Sequence, residues 1–486
     1  MSRAPWSAVT ALFVSACATQ PDYRSPADSL PAEWNNKTQV VQGSTGIDAA
    51  RETWWTELGD PAIDALVAAA LTDNPTLAEA AARVDQARAI FSIQHAQRSA
   101  RMDVTSSSAR ERVGIVGNSG TTNTTWQTTS SIGPALSWEI DLWGRVRQST
   151  LAAHRRLQAR DADARDARLS ISAEVAHGVL SLRACNLLLA IRDADIASRE
   201  NELAIIRTRV RLGTLPPVDV AAAESNLATV RIDRIAQEQV CVQTVDALVA
   251  VSGRPAHEVK ALLDVPLTSD RNDDPAAQMP SAPVIVLDLP GTILLAHPAV
   301  IAAEREVAAR WSEISVARAE RLPRIDLAAV LTGQWIRAFG STDSFTTLSA
   351  ALGVSAPLFD AGAGAAEVAR AEASYREAVA TLNATLREAV RDIEDGLAAQ
   401  DSSIRRAEVS RQAVSAARYT LSANEARRRA GSIGAFELEE SRRQLNRAQE
   451  SAIVAARDRA QAWVDLVRRS SVGSGFVSEL GRESLR

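Results

Sequence analysis

Residues of a type and spacing that could do covalent chemistry are scarce in this chain. Its 486 residues include five histidines and three cysteines. They are scattered, with no HExxH or CxxC pattern, so no metal centre or nucleophile–base arrangement can be assembled. Read this way, the chain is not an enzyme and carries no metal or cofactor. The chemistry that does recur is electrostatic. Glu437, Glu439 and Glu440 follow the glycine-punctuated stretch "RRRAGSIGAF", and Asp219 holds the corresponding place after "RVRLGTLPPV". Acids at such positions interact favourably with the dipole of the helix they begin. The formal charge of −5, from 54 basic and 59 acidic residues of interspersed sign, points to no nucleic-acid partner.

One thiol stands apart. The N-terminus reads "MSRAPWSAVTALFVSAC": Arg3, an apolar run from Ala8 to Val14, then small Ser15 and Ala16 before Cys17. That order predicts a secretory signal peptide over residues 1–16, too short to span a bilayer stably. "VSAC" resembles a lipobox, in which Cys17 becomes the acylated first residue of the mature chain; a chance cysteine near the signal end is the alternative. Ala18 follows rather than Asp, so under that resemblance the anchor lies in the outer membrane. Cys185 and Cys241 sit in apolar-periodic segments and read as buried, inert thiols rather than a disulfide. No run of about 18 uncharged apolar residues occurs, so no transmembrane helix is expected. Composition is 46% hydrophobic but only 4% aromatic, which favours closely packed helices over a bulky globular core.

The elements that must position these residues are built twice. "NPTLAEAAARVDQA" from Asn74 is echoed by "HPAVIAAEREVAAR" from His297, and "ARMDV" at 100–104 by "PRIDL" at 323–327. Asp141 pairs with Asp360, Gly178 with Gly396 and Gly213 with Gly431, at offsets of 218 or 219. Long-period self-similarity of this kind marks a tandem duplication. Each copy reads as a helical segment, two strands (102–115 and 126–141; 325–337 and 345–359), and two long helices (145–212 and 217–251; 364–430 and 435–469). The copies span 61–251 and 297–469. An N-terminal extension, 17–60, precedes them, a proline-rich irregular connector, 252–296, separates them, and a tail, 470–486, follows.

The strands carry the sharpest periodicity. Ile132, Pro134, Leu136, Trp138 and Ile140 alternate with small or polar residues, as do Leu348, Ala350, Leu352, Val354, Ala356 and Leu358. Such alternation suits a strand between lipid and a wet lumen, or one half-buried in a soluble sandwich. Four strands cannot close a pore and open edges are not tolerated in lipid, so a membrane reading requires several chains to pool their strands. In the helices, Val379, Leu382, Leu386, Val390, Ile393, Leu397 and Ile404 form a narrow seam, with Arg387, Glu388 and Arg391 opposite. Long helices with narrow seams pack side by side. Strand becomes helix at "SWEIDLWGRVR", through Trp138, Asp141 and Gly144, and again around Pro357, Asp360 and Gly362.

Together these stretches resemble TolC-like outer-membrane factors, specifically the NodT-type lipoprotein branch. The resemblance is carried by "VSAC", "WWTELGDPAIDALVAAALTDNPTLAEAAARVDQARA" from Trp54, "SWEIDLWGRVR" from Ser137, "RVRLGTLPPVDVAAAESNLA" from Arg209 and "ERLPRIDLAAVLTG" from Glu320. "AHPAV" departs from the family's usual Arg-Pro-Asp opening of the second copy. The resemblance implies a mainly α protomer giving four strands to a trimeric twelve-stranded barrel in a Gram-negative outer membrane. That barrel would be continuous with a helical periplasmic barrel. It implies an exit duct of a tripartite efflux pump, docked to a periplasmic adaptor of the membrane-fusion type and an inner-membrane transporter of RND type. By matching position, Leu212, Gly213, Thr214, Ala430, Gly431 and Ser432 are docking tips. Asp219, Glu437 and Glu440 would ring the aperture. The competing reading is a periplasmic coiled-coil scaffolding lipoprotein without a pore.

Overall fold

The computed structural model describes residues 23–26, 31–36, 53–116, 122–264, 274–283, 287 and 290–471. The signal segment, Cys17 and nearly all of the tail lie outside the described residues. Alpha-carbon packing divides the chain into two compact units. One holds residues 82–161 and 302–383 with the start of the chain, the other residues 28–81, 162–301 and 384–486.

The first unit contains the sheet. Strands β1 (Arg101–Val116), β2 (Thr122–Glu139), β3 (Arg324–Ala338) and β4 (Ser341–Ser355) are antiparallel neighbours in the order β1-β2-β3-β4. β1 is a full partner of β2 although its alternation is the weakest of the four; Ser107–Ser131 and Ser108–Ser130 hydroxyl bonds of 2.8 and 3.0 Å tie the polar middle of the pair. Two strands end earlier than alternation alone indicates. β2 stops at Glu139 rather than 141, where the carboxylate of Asp141 turns to the helix that follows. β4 stops at Ser355 rather than 359, because Pro357 has no N–H to give a ladder.

Helices flank the sheet in sequence: α1 (Pro61–Asp73), α2 (Pro75–Ala96), α3 (Arg145–Arg211), α4 (Val218–Ser252), α5 (Ala256–Leu263), α6 (Pro290–Ala296), α7 (Pro298–Ala319), α8 (Ala363–Arg429) and α9 (Ala435–Ser470). α3 and α8 are each 67 residues long, about 100 Å at 1.5 Å per residue. The connector departs from the irregular segment expected. Its prolines start helices instead of only breaking them: Pro255 caps α5, Pro275 opens a short 3₁₀ turn and Pro290 opens α6, positions where a missing N–H costs nothing.

Most of the largest fully buried side chains lie in the second unit. Trp54 and Trp463, each 1% exposed, pack at 5.7 Å between ring centroids. They join Ile63, Leu66, Leu180, Leu248, Ile393 and Leu466, all fully buried. On α8 the seam points inward: Leu382, Leu386, Ile393 and Leu397 are buried while Arg387, Glu388 and Arg391 are exposed. The duplicated glycines explain the close helix approach. A Cβ on Gly178 would lie 2.6 Å from Leu248, and one on Gly396 would lie 3.0 Å from Leu466. Both leucines stand at the same 218-residue offset as the glycines, so one contact is used twice. α3 also contains a window long and apolar enough to cross a bilayer, which was not expected, but over half of that window is buried in the protein.

One feature corrects the sequence reading and another adds to it. Cys185 and Cys241 form a disulfide, with Cα atoms 5.6 Å apart. The N-terminal extension is partly docked: the backbone N–H groups of Asn35 and Asn36 donate to the Glu394 carboxylate at 2.7 and 2.9 Å, and Trp34 is buried.

Candidate functional site

The sheet supplies the first functional surface. Register sets Met102 opposite Leu136 and Val104 opposite Pro134, then Leu136 opposite Ala329 and Trp138 opposite Leu327. It also sets Leu327 opposite Leu352, Ala329 opposite Ala350, Leu331 opposite Leu348 and Ile325 opposite Val354. Directly paired residues share a face, so over the half nearest the helix junctions one continuous face is apolar across all four strands. Its large side chains are bare in the single chain: Met102, Val104, Leu348, Leu352 and Val354 are between 63% and 76% exposed. The opposite face carries Asp103, Thr105, Ser107, Thr129, Ser131, Ser137, Asp326, Thr332, Gly353 and Thr347. The same apolar face has Trp138 near one end of β2 and Trp126 near the other. Twelve residues at about 3.3 Å each and a tilt of about 40° separate them by roughly 30 Å of depth, about the thickness of a membrane core, with aromatic residues at both borders and Thr128 and Ser130 between them nearer Trp126.

The two junctions use the same device. Asp141 accepts from the N–H groups of Val146 at 3.1 Å and Arg147 at 2.8 Å, satisfying free donors at the start of α3. Asp360 does so through Gly362 at 2.9 Å and Gly364 at 2.8 Å, and these bonds hold its carboxyl below the usual aspartate range. Gly144 (φ 78°) and Gly362 (φ 92°) take the left-handed conformation the turn requires. Trp138 donates its indole N–H to the Arg98 carbonyl at 3.2 Å. Pro357 lies between the strand end and this turn. Sequence reasoning missed the clamp beside it. Arg145 grips Glu139 at 2.6 and 2.8 Å, Arg324 reaches the same carboxylate at 3.0 Å, and Trp143 donates to the Pro323 carbonyl at 2.7 Å. The signal was the Glu and Arg flanking "IDLWG", six residues apart.

The helix–turn–helix tips are copies of each other. Gly213 (φ 72°) donates to the Val210 carbonyl at 3.0 Å, and Thr214 donates to the Arg209 carbonyl at 2.9 Å. Gly431 (φ 74°) donates to Arg428 and Ser432 to Arg427, at 3.0 and 2.9 Å. This pair of bonds is the Schellman cap, which needs a left-handed residue where the glycine stands. The hydroxyls of Thr214 and Ser432 repeat the bond to the same carbonyls at 2.9 Å. Leu212, Gly213, Thr214, Ala430, Gly431 and Ser432 are all exposed, and a Cβ on either glycine would meet nothing within 4 Å.

Beyond the second tip the three acids separate. Glu437 is exposed and lies 3.4 Å from Arg427. Glu439 is buried, taking the Ser198 hydroxyl at 2.6 Å and Arg442 at 2.9 Å. Glu440 is half-exposed and pairs at 2.7 Å with Arg443, which is itself buried and bonded to buried Glu202 at 2.9 Å. Burial is the largest single influence on the Glu440 carboxyl and pushes it up, but the bond and charge of Arg443, the charge of Arg447 and a bond from Gln444 together outweigh it and the net direction is down. Asp219 sits in the first turn of α4. Glu202, Ser198 and Arg443 were not anticipated: α3 and α9 bring them together from 241 residues apart.

An apolar-faced strand sheet with unpaired edges, joined through capped turns to very long paired helices, defines the protomer of an outer-membrane channel. The outer membrane efflux protein profile matches residues 66–254 and 289–470, well over half of the sequence, and the chain belongs to that family. It is 27% identical to the pyoverdine export outer membrane protein OpmQ of Pseudomonas aeruginosa, over 96% of both chains. It is 28% identical to outer membrane protein OprJ of the same species, over 98% of this chain and 97% of the other. A Pseudomonas aeruginosa membrane-protein structure at 26% identity superposes with a TM-score of 0.77 over 93% of this chain and 99% of its own. The channel OprN, at 22% identity, shares the fold at 0.79 over 95% and 100%. The chain is thus an efflux channel of the outer membrane that extends into the periplasm, which sets aside the pore-free scaffold.

Proposed function

We propose that three copies of this chain close one twelve-stranded barrel and continue it as a periplasmic helical tunnel, the passive exit duct of a tripartite pump. The observation that carries this is the sheet. Its four strands leave β1 and β4 with unpaired edges beside a face that is apolar across all four strands over the half nearest the helix junctions. Exposed edges cannot persist in lipid, and about eight strands make a barrel filled by its own side chains. Three copies are the smallest number that leaves a lumen. Leu358 and Phe359, 103% and 90% exposed in one chain, are further surfaces for a second copy to cover.

The exposed, Schellman-capped tips dock a periplasmic adaptor, which couples the duct to an RND-type inner-membrane transporter. Asp219, Glu437 and Glu440 line the aperture, where three-fold repetition turns each acid into a ring of negative potential. Acylated Cys17 adds a lipid anchor, and the chain works without cofactor or covalent chemistry. The test is to place bulk at the tips. Gly213→Trp with Gly431→Trp is expected to abolish efflux and adaptor retention while the assembled channel persists. Unchanged efflux with both tryptophans in place would contradict the docking assignment.

A further inference from the structure

The strand charges are sorted by face. Between residues 104 and 138, and between 327 and 355, the charged residues are Arg110, Glu111, Arg112, Arg337 and Asp343. Register sets Arg110 opposite Thr128, Arg112 opposite Trp126, Thr128 opposite Arg337 and Arg337 opposite Thr342. All three arginines therefore stand on the apolar face. Glu111, opposite Gln127, and Asp343, opposite Ile336, stand on the other. An arginine facing lipid is costly at mid-depth and nearly free at the border. These three are at the border, at the strand ends away from the helix junctions and level with Trp126 and Trp335.

The arginines are close together and their charges are open. Arg110 and Arg337 share a row two strands apart, about 10 Å, and Arg112 is two residues, about 7 Å, along β1. All three are exposed, and among the described residues none is in an ion pair. Arg110 lies over the Trp126 ring at 5.2 Å, and Arg112 donates to the Thr124 hydroxyl at 3.2 Å. A planar guanidinium matches phosphate oxygens with two parallel bonds. Below them on the same face comes a row of Ser108, Ser130, Trp335 and Ser344, and beyond it the apolar residues Ile132, Leu331 and Leu348.

We propose that this rim is a binding site for the phosphorylated headgroup of an outer-leaflet lipid, whose acyl chains lie along the apolar band. The site rests on the reading of that face as lipid-facing. Cationic side chains above an apolar wall complement a lipid, whereas a free phosphate would use only the upper half of the site.

The full-length protein, extracted in detergent and stripped of lipid, is titrated with bisphosphorylated lipid A, with its dephosphorylated form and with inorganic diphosphate, and bound lipid is counted by native mass spectrometry. Charge-assisted bonds to phosphate are about twice as strong as neutral ones, and the intact protein is expected to prefer the phosphorylated lipid about tenfold. Arg110→Gln with Arg112→Gln and Arg337→Gln should bring that preference to parity. Arg337→Gln alone, which breaks no observed contact, should lower it partway. Equal retention of phosphorylated lipid by the triple variant overturns the site, as does full displacement by equimolar diphosphate, which would mean a bare anion site. If the intact protein forms no multi-chain complex in the same spectra, the lipid-facing reading itself has failed. If the complex is present and the preference is absent, only this inference falls.

Discussion

Replacing Arg443 by Met should destabilise the protein. The guanidinium is 3% exposed and bridges Glu202, 9% exposed, to Glu440. Removing one partner of a buried ion pair costs about 3–5 kcal/mol because a desolvated charge is left behind. Glu202 keeps Arg199 at 3.4 Å, so about 2–4 kcal/mol is expected here. A 1 kcal/mol loss moves the melting temperature by about 2–4 °C in chains of 150–250 residues and by less in longer ones, so a drop of about 3–6 °C should appear in detergent. Glu202→Gln added to Arg443→Met removes the stranded charge and should recover at least half of the loss. The pH dependence has a definite sign. Burial pushes the Glu440 carboxyl up, but Arg443, with Arg447 and Gln444, holds it below its ordinary value, so it contributes stability above a pH of about 4.3 that is lost as pH falls through its depressed value. Arg443→Met should reduce that acid-side loss. A variant melting within 1 °C of the parent, with an unchanged acid limb, would refute the reasoning.

Two further outcomes follow from the same geometry. Glu437→Gln with Glu440→Gln should lower the cation preference of single channels in planar bilayers, and an unchanged reversal potential would remove these acids from the aperture. Burial holds the His297 imidazole below its ordinary value, although Asp166 and Asp392 pull it up. The unfolded chain therefore binds the extra proton first, and stability should fall as pH drops below about 6.5. His297→Gln should flatten the melting curve just below that pH, while Asp166, raised by burial, acts in the opposite sense.

The sequence made legible what the fold uses periodically or twice. Alternation located the strands because residues i and i+2 share a face, and Gly178 and Gly396 marked the repeat because each admits the same leucine contact. Asp141 and Asp360 were visible as a pair, and their capping bonds explain the pairing. What stayed hidden depends on which residues meet across helices. Glu437, Glu439 and Glu440 look equivalent within one turn, and only Ser198 and Arg442 decide that Glu439 is the buried one. The disulfide was missed because each cysteine occupies an ordinary apolar position. The clue was the hairpin itself: Cys185 and Cys241 lie 28 residues before and after Gly213 (213 − 185 and 241 − 213), and residues equidistant from a turn face each other. Gly178 with Leu248, and Gly396 with Leu466, obey the same rule about Gly213 and Gly431. A disulfide there also agrees with an oxidising periplasm. The sorting of Arg110, Arg112 and Arg337 onto one face needed the register of all four strands.

The central claim is that one chain is a third of a pore. Native mass spectrometry of the complex extracted from outer membranes counts its chains directly. Three chains are expected, giving closed strand edges and an open lumen. A complex of one or two chains, with four or eight strands, would contradict it.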